Sequence, residues 1–382
     1  MLSTTSIRRL FPHTSKFTYF NSASNGPLPS PAYKIQEKQY QIARDAVIGS
    51  QDEQFEALKS ISSNGAKILG CKTSEVGFGF NTTFGLNLAA FGLPLKSGDE
   101  ILLSDIEFPA NVYPWLELKR RGVKVKFIKS VDGFFNLGRF TKAITQRTRI
   151  LAISFVQFFN GYKNDLSTLG EICKRHNIFF VVDAIQGAGI EPLHLKKWGV
   201  DIASSGAHKW LLSSQGTGIF YVSEEIQERI KPPWRSWMSI DWNCDWSNLR
   251  DFTRDYPKSA RQYELGTYPV PLLLSLDWSL QFINQLGVKN IQSHTHELID
   301  LLIDYINCSD DFRVTSSIEK KFRSGIISFT SDKLNIDSVF GSLKRKNIIT
   351  SVREGAIRVA VHAFNNKNDI NKLITALDQA SS

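Results

Sequence analysis

Between residues 101 and 222, six short apolar runs alternate with stretches of helical character, and this alternation limits the fold more than any other feature of the chain. The runs are Ile101–Ser104, Val123–Ile128, Ile150–Val156, Ile178–Val182, Asp201–Ser205 and Gly218–Val222. Among the intervening segments, Pro114–Arg121 reads as helix and Leu166–His176 as an amphipathic helix. Strands that are apolar throughout, rather than at every second residue, belong to sheets covered on both faces. Strands separated by helices pair in parallel. The expected fold class is therefore α/β, with a mostly parallel central sheet and helices on both sides. Such sheets bind ligands beyond the carboxyl ends of their strands. The residues that follow each run are where the chemistry is expected.

The pattern changes after Val222. Lys231–Trp246 carries Pro232, Pro233, Trp234, Trp237, Trp242 and Trp246, and reads as an irregular aromatic loop or lid. It either shapes a bulky pocket or packs at a subunit interface. Long helices follow at Pro271–Leu286 and Ile291–Ile306. Gly325–Phe329, Ile336–Lys346, Ile357–Val361 and Asp369–Leu377 then make a smaller α+β unit. A length of 382 residues suits two packed units. The expected division is an N-terminal segment 1–20, a large α/β domain 21–255 and a small C-terminal domain 256–382.

Composition excludes several classes. The formal charge of +9 is a mild excess for this length. The densest basic stretch is Lys119, Arg120, Arg121, Lys124, Lys126 and Lys129. It reads as a helix end and a strand, with Val123, Val125 and Phe127 facing inward and the cations solvated, rather than as a nucleic-acid footprint. Cys71, Cys173, Cys244 and Cys308 stand apart, without metal or disulfide spacing, which suggests a reducing, cytoplasmic setting. The longest apolar run, Pro269–Leu276, stops at Asp277 and is too short to span a membrane. The first 36 residues lack Asp and Glu and include Arg8 and Arg9. They pass directly into Phe17–Asn21, which reads as folded structure rather than the end of a targeting peptide.

Three strand exits carry chemistry. After Val182 comes Asp183-Ala184-Ile185-Gln186-Gly187. A carboxylate at the end of a buried strand is costly unless it is paired. Asp183 is thus either a helix N-cap or the partner of a cation in the cleft. After Ser205 comes Gly206-Ala207-His208-Lys209-Trp210, and Gln215-Gly216-Thr217-Gly218 leads into the next run. Taken alone, Lys209 is a surface lysine. At a strand exit inside a cleft, however, a lysine can lose its proton and attack a carbonyl, and Ser205, Gly206 and His208 suit a phosphate. The third exit is Asn81-Thr82-Thr83-Phe84-Gly85, where a helix start offers hydroxyls and free N–H groups. That suits phosphate as well as plain capping. Neither GxxxxGK[ST] nor GxGxxG occurs, so ATP and dinucleotides lose their usual support. A lysine, an aspartate and a phosphate cradle together answer the needs of pyridoxal phosphate. That cofactor takes a Schiff-base amine, a carboxylate at its pyridine nitrogen and donors for its phosphate.

The Asp-x-x-Gln segment, the turn ending His-Lys-Trp and the following Gly-Thr-Gly together resemble the class V aminotransferases among the fold-type I pyridoxal-phosphate enzymes. Cysteine desulfurases and isopenicillin N epimerase-like proteins belong to that group. The resemblance runs from about Tyr19 to the C-terminal helix. It implies that Lys209 carries pyridoxal 5'-phosphate as a Schiff base and later shuttles the α-proton. Asp183 would pair with the pyridinium nitrogen, and Gln186 would hydrogen-bond the phenolic oxygen. Thr82 and Thr83 would bind phosphate, with His208 and Ser205 nearby. The pattern around Ser205 is offset by one residue, which brings in the Gly206 backbone. Arg358, in Ile357-Arg358-Val359-Ala360-Val361-His362, matches the arginine that holds the substrate carboxylate, a task suited to a bidentate guanidinium. Without that context it reads as a surface ion pair. Gly266-Thr267 matches a segment reaching the phosphate of the neighbouring subunit, which implies a homodimer with shared active sites. Gln157 and Asn25 are assigned to the active-site lining. His194, His294 and His296 have no metal-binding spacing, so no metal is expected.

Two departures bear on the reaction. Desulfurases of this group stack a histidine on the cofactor, directly after a glutamate. Here Glu107 is followed by Phe108, which can stack but transfers no proton. Desulfurases also carry a nucleophilic cysteine shortly before the carboxylate-binding arginine. Here Val352–Ile357 is short and has none. The expected function is pyridoxal-phosphate chemistry at the α-carbon of an amino acid, a small-molecule substrate, most directly as a class V aminotransferase. A C–S lyase and an amino-acid epimerase are the alternatives. A catalytically silent binding protein is the non-enzyme alternative, against which Lys209 and Asp183 argue.

Overall fold

The computed structural model describes residues 3–46, 51–242 and 247–381, so Cys244 and Trp246 lie outside the described residues. Its centre is a seven-stranded sheet. In chain order the strands are β1 (Val76–Gly79), β2 (Glu100–Ser104), β3 (Lys124–Ile128), β4 (Thr148–Ser154), β5 (Phe179–Asp183), β6 (Ile202–Gly206) and β7 (Gly218–Val222). The spatial order is β1-β7-β6-β5-β4-β2-β3. The pairs among β6, β5, β4, β2 and β3 are parallel. β7 runs antiparallel to both neighbours, β1 and β6.

The apolar runs are uninterrupted because successive residues serve two different cores. Leu151, Ile153, Phe180, Val182, Ala203 and Ile219 join the core on one face. Ile150, Ala152, Phe179, Val181, Ile202 and Phe220 join the core on the other. Side chains on a strand alternate between faces, so a sheet covered on both sides needs apolar residues at every position. The edge strand β3 escapes this rule. Val123 is buried, but Phe127 is 42% exposed, which corrects the expectation that Val123, Val125 and Phe127 all face inward. At an edge the covering layer ends. Lys126 there lies along the sheet and reaches Glu100 at 2.7 Å.

The helix Val270–Leu286 packs into the same core as β4 to β6. A third cluster runs from Leu298 to Leu377 and includes Phe20. It surrounds a four-stranded sheet of Arg313–Val314 (β8), Ile326–Thr330 (β9), Ser351–Arg353 (β10) and Ala356–Ala360 (β11), ordered β10-β11-β9-β8. The start of the chain belongs to this unit. Thr18–Tyr19 pairs in parallel with Ile348–Ile349, and Arg8 holds Asp369 at 2.7 Å.

Two features aim the interior at one end of the sheet. The connection from β6 to β7 is closed by the Ala207 N–H donating to the Thr217 carbonyl at 2.8 Å, which makes it a compact loop with Lys209 inside it. His362 then ties that loop to the C-terminal unit. Its ring stacks 5.7 Å from Trp210 and 5.6 Å from Phe364. Its Nδ1 accepts the Ala363 N–H at 2.7 Å, which leaves Nε2 as the donor to the Trp210 carbonyl at 3.1 Å. This pairing needs the neutral imidazole, and burial lowers its pKa to about 4.

The sign of the pH effect follows. The unfolded chain binds this proton near pH 6.5, before the folded chain does. The stability from neutral His362 is therefore complete above about pH 6.5 and is lost as the pH falls toward 4, at up to about 1.4 kcal/mol per pH unit. Chemical denaturation from neutral pH to pH 4 should show His362→Phe losing stability on acidification more slowly than wild type. Parallel curves would show that this imidazole does not titrate on unfolding.

Candidate active site

A cavity of about 280 Å³ opens at the carboxyl ends of β4 to β6. Eight of the expected residues line it together: Thr82, Thr83, Phe108, Asp183, Gln186, His208, Lys209 and Arg358. Four lie elsewhere. Asn25 is exposed, and its amide donates to the Gly26 carbonyl at 3.3 Å. Ser205 turns its hydroxyl to the Gly206 carbonyl at 3.2 Å. Gln157 is buried below the cavity on Glu107. Thr267 is exposed.

Lys209 is 9% exposed, and its ammonium lies 5.6 Å from the centre of the Phe108 ring. It makes no hydrogen bond or ion pair with the described residues. Burial pushes its pKa down; Asp183 opposes this, and Arg358 and Arg353 add to it. Its backbone position is tight. The Gly26 N–H donates to the His208 carbonyl at 2.7 Å, and a Cβ on Gly26 would come within 2.0 Å of the Lys209 carbonyl oxygen.

Asp183 ends β5 directly opposite Ser154 on β4. Its carboxylate accepts the Ile185 N–H at 3.0 Å, while burial drives its pKa up. No cation pairs with it among the described residues. Below it lies a second buried carboxyl, Glu107, with four donors: the Ser154 N–H at 3.0 Å, the Ser154 hydroxyl at 2.5 Å, Asn111 at 2.8 Å and Gln157 at 3.0 Å. Burial raises the pKa of Glu107, and these bonds oppose the rise. Gln186 is clamped between Trp210, whose Nε1 donates to its Oε1 at 2.8 Å, and the Ala23 carbonyl, which accepts from its Nε2 at 3.0 Å. One Nε2 hydrogen remains for a ligand.

The helix Thr82–Gly92 starts at the cavity. Asn81 caps it, with Oδ1 accepting the Phe84 N–H at 2.9 Å. The Thr82 hydroxyl accepts the Gly206 N–H at 2.9 Å, which joins the helix start to β6. Phe84 packs on Trp234 at 5.0 Å, so this tryptophan braces the helix start from behind. The described tryptophans of the 231–242 segment do not line the cavity. The first N–H groups of a helix lack intrahelical partners and face an anion with a favourable dipole. His208 stands beside them, neutral, because burial and then Lys209 lower its pKa to about 4.

Arg358 is 2% exposed on β11. Its guanidinium donates to Ser351 at 3.1 Å, to the Phe158 carbonyl and to Ser24 at 2.6 Å. Arg353, which the sequence reading passed over, also lines the cavity and reaches the same Ser24 oxygen at 3.2 Å. Ser24 was likewise missed, and Asn81, read only as a helix cap, lines the cavity as well. A lone serine near a short strand carries no periodic signal; only the fold brings it here.

A buried lysine with no partner, a buried aspartate with no cation and an anion-ready helix start are each unmet in the protein alone. One ligand with an aldehyde, a basic ring nitrogen and a phosphate meets all three. The residues present therefore fit pyridoxal phosphate.

The family comparison agrees with this geometry. The family model for aminotransferase class-V matches residues 18–373. An uncharacterized aminotransferase of Bacillus subtilis is 25% identical over 370 residues, covering 96% of this chain and 95% of its own. Among solved structures, the apo cysteine desulfurase of Thermococcus onnurineus aligns with a TM-score of 0.87 at 23% identity, over 99% of this chain and 98% of that one. A mutant C-DES with glycine covalently linked to its pyridoxal-phosphate cofactor aligns with a TM-score of 0.87 at 21% identity, over 97% of this chain and 98% of that one. The chain belongs to the aminotransferase class-V family, and pyridoxal 5'-phosphate is its expected cofactor.

Two outcomes follow from this site. Lys209→Ala should remain folded by circular dichroism yet lose the visible absorbance of covalently held cofactor; an unchanged spectrum would remove Lys209 from that role. Gly26→Ala should displace the Lys209 backbone and lower cofactor occupancy at saturating pyridoxal phosphate. Full occupancy with unaltered absorbance would show that the loop can yield at Gly26.

Proposed function

We propose that this protein is a cytoplasmic, homodimeric aminotransferase that takes the α-amino group from an amino acid and leaves its keto acid. The observation that carries the reading is the set of proton-carrying groups around the cavity. Lys209 is the one placed to act as a general base on substrate. His208 is held as a weakly basic neutral ring, Phe108 carries no proton, and the arginines are cations. No described cysteine lines the cavity.

Bound pyridoxal phosphate supplies an aldehyde for the amino group and a ring that disperses the electrons released at the α-carbon. The protein supplies the rest. Asp183, as a carboxylate, would hold a proton on the cofactor's ring nitrogen. The Thr82–Thr83 helix start would hold its phosphate. Arg358 would fix the substrate carboxylate and so orient the α-hydrogen toward the amine. Lys209 Nζ would take up that α-proton and carry it for return, the role a transamination asks of one base. An epimerase needs a second group to return the proton from the opposite side, and Phe108 is unsuited to that. Sulfur transfer through the enzyme needs a thiol in the cavity. Elimination of a β-substituent also needs only one base, so a lyase remains the second reading.

The dimer reading is supported by Leu249, Phe252 and Tyr256, large apolar side chains exposed at 53%, 89% and 45%, and by the exposure of Thr267. Thr267 would act toward the partner's phosphate. The unpaired Cys71, Cys173 and Cys308 support a reducing compartment.

Single-turnover spectra against a panel of L- and D-amino acids test the reaction. Transamination predicts that the cofactor ends in its amine form with one equivalent of keto acid released. Return of the aldehyde form with pyruvate and a departing thiol would establish a lyase. Inverted chirality without keto acid would establish an epimerase.

A further inference from the structure

We propose that Arg353 is a specificity-determining residue that receives a second acidic group of the substrate, so that the site selects amino acids with an anionic side chain. This rests on the amino-acid chemistry proposed above and narrows its substrate class.

The placement comes from a hairpin. β10 and β11 pair antiparallel, with Ser351 opposite Arg358 and Arg353 opposite Ala356. Residues two apart on a strand share a face, and so do residues directly opposite. Ser351, Arg353 and Arg358 therefore project to one side. The turn consists of Glu354 and Gly355, both at positive φ (47° and 74°), which is the tight form of a two-residue hairpin. Arg353 is thus the last strand residue before a short turn and sits at the cavity on a fixed ladder rather than on a long loop.

The charges do not balance without a ligand. Lys209, Arg353 and Arg358 line the cavity, and among the described residues Asp183 is the one carboxylate that does. Neither arginine has a carboxylate within 4.0 Å among the described residues. Both reach the single Ser24 oxygen, so two cations are held side by side. Burial, and then Arg353, lower the pKa of Arg358 to about 9. A bound cofactor would engage Lys209 through its aldehyde and Asp183 through its ring nitrogen, and its anionic phosphate would be held by the Thr82–Thr83 helix start rather than by the arginine pair, which share Ser24. One substrate carboxylate then answers one guanidinium, and the other is left unmatched in a largely buried site, which is costly.

Donor geometry assigns the two roles. Arg358 is anchored through Nε, Nη1 and Nη2 to Ser351, Phe158 and Ser24, and is the rigid one. Arg353 donates from Nη1 to the Val352 carbonyl and from Nη2 to Ser24. Its Nε–H and one hydrogen on each Nη remain free, which is enough to take a carboxylate or sulfonate in a charge-assisted pair.

The test begins with cofactor occupancy of wild type and Arg353→Gln, read from absorbance. If wild type takes up no cofactor, the transaminase reading falls first and this inference with it. With occupancy equal, spectral dissociation constants are measured for aspartate, glutamate and cysteate against asparagine, glutamine and serine. Wild type should favour the acidic set by about tenfold or more, and Arg353→Gln should remove that preference while changing the neutral set by less than about twofold. Equal weakening of both sets would show that the two arginines share the α-carboxylate, which overturns the proposal, as would a wild type that favours neutral substrates. Thermal stabilisation gives a readout free of turnover. Glutarate should protect wild type more than butyrate does, and that difference should vanish in Arg353→Gln; equal protection in wild type would overturn the assignment.

Discussion

The organising constraint of this molecule is a buried ammonium that no hydrogen bond or ion pair from the described residues holds. A lysine is rarely buried without a partner, yet Lys209 is nearly enclosed and makes no hydrogen bond or ion pair with the described residues. The protein holds it there by other means. The loop is closed by Ala207 and Thr217, pressed against Gly26 and tied at Trp210 to Gln186 and His362. Each of these fixes backbone or an uncharged ring, and none neutralises the amine. Burial lowers the amine's affinity for a proton, which suits it to a ligand that takes the neutral amine, the nucleophilic role proposed for it.

The same logic extends to the carboxyls. Asp183 and Glu107 lie close enough that each discourages the other's charge, and both are buried. Glu107 has four protein donors, whereas Asp183 has one, the Ile185 N–H. The fold satisfies the lower carboxyl and leaves the upper one for a cation in the cleft. The arginines repeat the pattern in the same cavity. The protein thus carries the charge image of the ligands proposed for it: positive where acids are expected and a carboxyl where a protonated nitrogen is expected.

Much of this was legible in the residues. The two-sided cores required apolar runs, so the strands stood out, and Gly218–Val222 was located to the residue. The strand exits held Asp183 and Lys209, and the helix start held Thr82. What could not be read depended on contacts across long sequence separations. That β7 runs against its neighbours follows from the closure of one loop. Phe127 is exposed because β3 is an edge, and sheet order is not local information. Asn25 was expected at the site, but its neighbour Ser24 is there, because a turn near Asn21 decides which side chain faces in. Gln157 was expected at the ligand and instead supports the layer below it. Arg353 was read only as part of a segment lacking cysteine. Its importance depends on hairpin register, which a one-residue shift would reverse.

Phe108 and Arg353 line one cavity and bear on its chemistry in a related way. Phe108, packed on Phe158 at 5.2 Å, puts a ring with no exchangeable proton beside Lys209. The two-residue turn at Glu354 and Gly355 holds the Arg353 guanidinium at the same cavity. The first carries no proton to donate and the second supplies a positive charge. With Lys209 as the base proposed for the α-proton, the path taken would depend on how the substrate is oriented rather than on a choice among acids. Orientation comes from the charges at the substrate's ends. Two anchored guanidiniums on a rigid hairpin would hold a dianionic substrate at two points and turn its α-hydrogen toward Lys209, whereas a neutral side chain would leave rotation free. Reaction selectivity and substrate selectivity then rest on the same geometry.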